Sequence, residues 1–512
     1  MDELLRTGKR LAQDIAQKQD PLGPTANKLQ EAEQLRRQKK HRQAKRICED
    51  LLQEFPDYVG ALHTLGLIFA DMRQYEKSVT LLGKAAMFCP VDWRIYTALA
   101  GLNLELKRPD TAIANLEQAQ KLSPGNIEII ATLAEVYRDQ KEYELSARNF
   151  EMVLKHKKDD RSTKILLANC HEHLGNLSDA CEIYESLIID GQHNIDIIGA
   201  LLQLPESLHS LDFNSVFSDI DELAVKDMYK LNYIKSIYNH RNNRYKEAWY
   251  ELEEANEVKK VELSEKWRQG SAKREVLLNW AKSIPVFDNS VTSKEHPISL
   301  FVLGPSRSGK TTLEQLITCI PGVKRGYENP IVENCVRRTM QVSGCITRSG
   351  INGMPPNFDS VFLEFYWQEM NERARGSLVF TNTHPAKITE ALRYAKTIPN
   401  SYFIFIKRNV EDIIFRIYMK NYASGNEYAY DVNTIKEYIE WYYEMIDICL
   451  EKLPKISVLV EYENMIADPK AIVEIAYNLC GLKGEPTEIP AIGDDRRIAE
   501  PYRRFINNAV GH

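Results

Sequence analysis

An α-solenoid followed by an α/β domain with a parallel sheet is the fold this sequence predicts, and three observations predict it. Through the first half, small residues and leucines recur every 34 positions. In the second half, short β-rich runs alternate with helical stretches. The first of those runs enters a helix through a glycine-bounded loop that carries a lysine. At 512 residues the chain exceeds the roughly 100–200 residues of one domain, so two or three domains are expected.

Residues 1–27 read as a helical or flexible N-terminal segment, and the repeats run over 28–190. Pro56, Pro90 and Pro124 are 34 residues apart, and Ala44, Ser78, Ala112, Ser146 and Ala180 form a column on the same step. A third column, Gly66, Ala100, Ala134 and Ala168, is preceded each time by leucine at Leu65, Leu99, Leu133 and Leu167. Small residues let two antiparallel helices approach closely and the proline stops the second of them, which is the 34-residue pattern of tetratricopeptide repeats. The register returns at Ala248 and Ala255, so 191–283 read as degenerate repeats or a helical cap. Residues 284–297, with Pro285, Pro297 and several turn formers, read as a linker to a domain spanning 298–512.

Charge and cysteine content narrow the function classes. A net charge of −6 with 27% charged residues gives no overall basic footprint, so nucleic acid is not an expected partner. The nine cysteines are scattered and form no Cys-x-x-Cys pair, which supports neither a disulfide framework nor a zinc site. No apolar run approaches the roughly 20 residues of a membrane span, and the N-terminus shows no apolar signal segment. A reducing, cytoplasmic location is the expectation.

In the second half, Ile298–Leu303, Ser377–Phe380, Tyr402–Ile406 and Ile456–Val460 read as strands, separated by helical stretches such as Ile388–Thr397 and Thr434–Leu453. Gly304 to Thr312 follow the first strand, where small residues let backbone N–H groups and the positive end of a helix converge on one anion. Gly304-x-x-x-x-Gly309-Lys310-Thr311 satisfies the P-loop pattern of nucleotide triphosphatases, with Lys310 for the β and γ phosphates and Thr311 for magnesium. That chemistry calls for a strand-terminal Asp, and Tyr402–Ile406 delivers Lys407 and Arg408 instead. A cation at the carboxyl end of a strand suits a second phosphate.

The same loop, read as Arg307-Ser-Gly-x-Thr-Thr-Leu-Glu-Gln315, resembles the 5′-phosphosulfate loop of sulfotransferases. Further along, Arg408, Asn409 and Asp412 match that family's 3′-phosphate segment, with Val410 in place of a proline and Arg416 in place of a serine. His384-Pro-Ala-Lys387 looks like the family's Asp-Lys-x-Pro segment, the Asp-Lys pair having become Asn382-Thr383. Val460-Glu-Tyr-Glu and Asp468-Pro469 resemble a stretch near the family's end. The whole chain is similar to the tetratricopeptide-repeat sulfotransferases, whose catalytic half is akin to tyrosylprotein sulfotransferases.

That resemblance implies transfer of a sulfuryl group from 3′-phosphoadenosine-5′-phosphosulfate to a hydroxyl acceptor, with no metal. It places Arg307 near the sulfate and bridging oxygen, Ser308, Gly309, Lys310, Thr311 and Thr312 around the 5′-phosphate, and Arg408 with Arg416 on the 3′-phosphate. Glu328, in Pro321-Gly-Val-Lys-Arg-Gly-Tyr-Glu-Asn329, stands where the protein-tyrosine enzymes supply their catalytic Glu. His384 is the alternative base, since a neutral imidazole accepts a proton near pH 7. Lys310 offers a positive charge in place of the missing Lys. Two other readings stay open: a P-loop NTPase or kinase using ATP or GTP with magnesium, and a catalytically degenerate interaction scaffold. The repeat groove is compatible with a protein, peptide or glycan acceptor and with a second copy of the chain.

Overall fold

The computed structural model describes residues 24–510 apart from 107, 191–193, 221–227, 288–295, 346–349, 423–424, 483–485, 487 and 491. The chain forms two compact units, Met1–Ile183 and Tyr184–His512. Most of the expected linker, 288–295, lies outside the described residues.

The first unit is a helical solenoid. Its pairs are Pro24–Arg37 with His41–Glu54, Val59–Asp71 with Tyr75–Phe88, Trp93–Glu105 with Pro109–Leu122, and Ile127–Asp139 with Tyr143–His156, followed by Arg161–Leu174. The two small-residue columns face each other inside these pairs. Ser78 donates its hydroxyl proton to the Gly66 carbonyl at 2.7 Å, and Ser146 donates to Ala134 at 2.8 Å. A side chain at Gly66 would lie 2.8 Å from Leu82 Cγ, so the period records how closely the helices must approach. Pro56, Pro90 and Pro124 each stand two residues beyond a helix end, at Glu54, Phe88 and Leu122.

In the second unit a five-stranded, wholly parallel sheet carries the order β2-β3-β1-β4-β5, with β1 Ile298–Leu303, β2 Val323–Lys324, β3 Val379–Asn382, β4 Ser401–Lys407 and β5 Ser457–Glu461. Alternate residues of the central strands enter opposite cores. Leu300, Val302, Ile404 and Ile406 join one, and Phe301, Leu303, Phe403 and Phe405 the other. Burial on both faces is why these strands read as unbroken apolar runs. β2 was not read from the sequence, because two residues are too short to show a period.

Residues 191–283 contain a helix pair, Met228–Arg241 and the 39-residue helix α1, Tyr245–Ser283, with Ala248 and Ala255 buried. These helices belong to the same compact unit as the sheet. Trp249 of α1 packs on Tyr418 and Phe505, Trp267 packs on Tyr428, and Asn256 donates to the Tyr418 carbonyl at 3.0 Å. Past α1, Phe287 donates its backbone N–H to Lys452 at 2.8 Å, so the start of the expected linker is tied to the α/β layers.

Candidate active site

Three loops at the carboxyl ends of strands build the site. The sheet order puts β1 between β3 and β4, so the connections leaving β1 and β4 diverge and a crevice opens between them. The loop after β1 enters helix α2, Lys310–Ile317, through Gly309 at φ +98° and Arg307 at φ 65°. Gly304 is required by close approach, since a Cβ there would stand 2.5 Å from both Ile406 Cγ2 and Ser308 Oγ. The loop is thereby pressed against β4.

The resulting cavity, of about 290 Å³, is lined by Arg307, Gly309, Lys310, Thr311, Thr312, Glu328, Arg408 and Arg416 among the sequence-expected residues, and by Tyr422, Tyr462 and Asp495 beside them. Ser308 is wholly buried and its Oγ has no hydrogen-bond partner among the described residues. The buried Arg408 likewise leaves Nε unpartnered, while its other nitrogens donate to the Arg307 carbonyl at 3.4 Å and the Asp495 carbonyl at 2.6 Å. Buried donors without acceptors are costly unless a ligand meets them. An anionic ligand fits that demand.

Lys310 folds back to donate to the Pro305 carbonyl at 2.8 Å. Burial pushes its ammonium down to about 8, against the raising effect of Glu328 and with a further lowering by Arg307. Burial also lowers Arg307. Two cations are therefore concentrated at one loop with less charge compensation than they would find in water, which suits them to oxyanions.

Glu328 comes from a turn between β2 and helix α3, Ile331–Val342. Gly326 admits no side chain there, because a Cβ would lie 1.9 Å from the Thr381 carbonyl oxygen, and Tyr327 takes φ +55°. Buried Glu314 of α2 holds the turn, accepting from the Tyr327 N–H at 3.0 Å and from Arg325 at 2.9 Å, and bonding the Thr381 hydroxyl. Asn382 adds bonds to Asn329 at 2.9 and 3.1 Å, and Thr383 donates its N–H to the Tyr327 carbonyl at 3.1 Å. The changed pair Asn382-Thr383 thus secures the turn that presents Glu328.

His384 stands in the same region with its pKa lowered by burial, against the raising influence of Glu328. Its Nδ1 accepts the Ala386 N–H at 3.2 Å. The neutral ring then carries its proton on Nε2, making that nitrogen a donor toward its surroundings rather than a base. Lys387 is buried away from the cavity against Glu333, at 2.9 and 3.1 Å.

Arg416, on helix α4, Val410–Tyr418, reaches the cavity, where it donates to Asp495 Oδ2 at 2.5 Å. Asp412 of the same helix does not face it. Its carboxylate accepts the N–H groups of Arg497 and Ala499 at 2.9 and 3.0 Å. Asp495 was missed in the sequence, where it lies 79 residues from its partner and belongs to no motif.

A glycine-bounded loop and a strand-end arginine meet at the switch point of a parallel sheet, where open α/β domains hold their ligands. Residues 297–486 match the family model described as Sulfotransferase family, and 28–58 and 103–160 match models of the Tetratricopeptide repeat. The chain is a tetratricopeptide-repeat protein whose carboxyl-terminal half is a sulfotransferase-family domain. An uncharacterized protein of Aquifex aeolicus (strain VF5) is 24% identical over 264 residues, covering 47% of this chain, and the chain spans 33% of that relative's length. Among solved structures, MamA is 18% identical with a TM-score of 0.29, covering 31% of this chain and 94% of its own. PilF of Pseudomonas aeruginosa is 18% identical with a TM-score of 0.32, covering 40% and 93%. Likenesses at that level carry no argument about function. No helix among the described residues is long and apolar enough to cross a membrane.

Proposed function

We propose that the α/β domain transfers a sulfuryl group from 3′-phosphoadenosine-5′-phosphosulfate to a hydroxyl acceptor, as the resemblance to tetratricopeptide-repeat sulfotransferases implies. The observation that carries this reading is that residues of loop 304–312 line one cavity together with Arg408 and Arg416, cationic groups supplied from the ends of adjacent strands. In this reading Ser308, Thr311 and Thr312 hold the 5′-phosphate, and Arg408 with Arg416 hold the 3′-phosphate. The donor supplies an activated sulfuryl group. Arg307 and Lys310 stabilise negative charge that gathers on the leaving oxygen, and Glu328 takes the proton of the acceptor hydroxyl. β3 and β4 end in Asn382 and Lys407 rather than in a carboxylate, which favours this donor over a triphosphate with magnesium. The repeats then serve recruitment of a protein, peptide or glycan acceptor, or assembly.

Calorimetry tests the reading. Adenosine 3′,5′-bisphosphate should bind without magnesium, and Arg408→Ala should weaken it about ten- to a hundredfold, since charge-assisted bonds to phosphate are worth roughly 1.5–3 kcal/mol. Binding that instead requires ATP with magnesium overturns it.

A further inference from the structure

The sulfotransferase-family match ends at residue 486, yet Asp495, beyond it, lines the cavity. Residues 494–499 run across the end of α4 as a strap. Its far end is fixed by the two N–H groups donated to Asp412 and by Tyr502, whose ring stacks on Phe415 at 3.9 Å between centroids. Tyr502 also shares a 3.0 Å hydrogen bond with His240 Nδ1, so the anchor reaches back into the helices that precede the sheet. The near end carries Asp495. Its carboxylate meets Arg416 at 2.5 Å and its main-chain carbonyl meets Arg408 at 2.6 Å.

These are the two arginines assigned above to the second phosphate. A carboxylate and a carbonyl, both oxygen acceptors, therefore stand where phosphate oxygens would be received. The two ends of the strap differ in character. The anchor is buried: Asp412 is 3% exposed and Tyr502 is fully buried, whereas the side chains of Arg416 and Asp495 are 35% and 38% exposed. An ion pair with that much solvent around it is held weakly, and a phosphate dianion offering several oxygens to the same guanidinium outcompetes one carboxylate. The strap can thus yield its tip while keeping its anchor. The Asp495 charge also lowers the attraction of the subsite for any incoming anion, while the neighbouring Asp494 is paired with Arg496 at 2.6 Å.

We propose that Asp495 is an internal anion holding the 3′-phosphate subsite, and that the donor displaces the tip of the 494–499 strap when it binds. The inference rests on the donor reading above. Asp495 would then set discrimination: it opposes ligands that bring a 3′-phosphate to Arg416 and leaves untouched those that use the loop alone. Asp495→Asn keeps the shape and an acceptor for Arg416 while removing the charge that competes.

The test is calorimetric titration of the full-length parent and the Asp495→Asn variant with adenosine 3′,5′-bisphosphate, adenosine 3′-monophosphate and adenosine 5′-monophosphate. The expected result is about two- to fivefold tighter binding of both 3′-phosphorylated ligands, the range set by a partly exposed ion pair, with 5′-monophosphate affinity unchanged. Hydrogen exchange supplies a second measurement that does not depend on the variant folding, since the amides of 494–496 should exchange faster when the bisphosphate is bound to the parent. Binding of the bisphosphate by the variant alone would also support the proposal, as a subsite closed in the parent. An equal change for all three ligands, or weaker bisphosphate binding in the variant, overturns the displacement idea and leaves the donor reading standing. Binding of none of the three by either protein overturns both.

Discussion

At the scale of single residues, a carboxylate and an imidazole are the candidates for the base, and the geometry separates them. Glu328 lines the cavity, whereas His384 spends Nδ1 on the Ala386 N–H and presents a donor at Nε2. Glu328→Gln should preserve bisphosphate affinity and lower sulfuryl turnover by about 10² to 10⁴, measured as donor breakdown or acceptor labelling. His384→Asn should cost far less, because an amide can still donate. A large loss in His384→Asn with a near-normal Glu328→Gln would reverse the assignment. Lys310 gives a pH signature. Its ammonium titrates at about 8 rather than at the ordinary 10.5, so its charge is complete below that pH and is lost as pH rises through it. Bisphosphate affinity should fall as pH passes from 7 to 9.5, and Lys310→Arg, which stays charged throughout, should flatten that profile. For the ligand-free fold the sign is opposite. The unfolded chain binds more protons between about 8 and 10.5, so this group's contribution to stability rises with pH across that window.

At the scale of elements, the turn that presents Glu328 is over-determined by parts that carry no charge chemistry of their own. Gly326→Ala would set a methyl 1.9 Å from the Thr381 oxygen, so the turn must open or β3 must move. A stability loss of about 1–3 kcal/mol in thermal unfolding is expected, together with a turnover loss of at least tenfold. Donor affinity should be kept, because loop 304–312 is fixed independently by the approach of Gly304 to Ile406. Parallel loss of donor affinity would show that turn and loop move as one. The elements also explain what the sequence disclosed. The loop and the strand before it were legible because glycine spacing and a run buried on both faces are local signals. The repeats were legible because close helix approach forces small residues at a fixed step, as the Ser78 to Gly66 bond shows. Asp412 matched a family signature, but its task is to accept the N–H groups of Arg497 and Ala499, more than 80 residues away. Asp495 was silent for the same reason. A charge recruited from the far end of a domain leaves no period, spacing or neighbour to read.

At the scale of the whole molecule, the placement of helix α1 determines which fragments can stand alone. Its small-residue register reads as a continuation of the repeats, yet its aromatic residues are buried by partners far along the chain: Trp249 by Tyr418, Tyr502 and Phe505, and Trp267 by Tyr428 and Tyr438. Polar bonds point the same way, with Trp441 Nε1 donating to the Arg274 carbonyl at 3.2 Å and Lys260 paired to Asp431 at 2.8 Å. Burying an aromatic side chain removes about 150–250 Å² from water, which at about 25 cal/mol per Å² is roughly 4–6 kcal/mol for each tryptophan before entropy is counted. Losing both would consume most of the 5–15 kcal/mol typical of a folded domain. A fragment of residues 177–512 should therefore unfold cooperatively and bind adenosine 3′,5′-bisphosphate as the full chain does. A fragment of residues 296–512, cut where composition alone suggests a boundary, should be recovered aggregated or with a melting temperature many degrees lower. Differential scanning calorimetry of the two fragments beside the full chain decides the matter. A 296–512 fragment as stable as 177–512 would show that α1 only rests on the α/β domain, and that the sulfotransferase-family region folds without it.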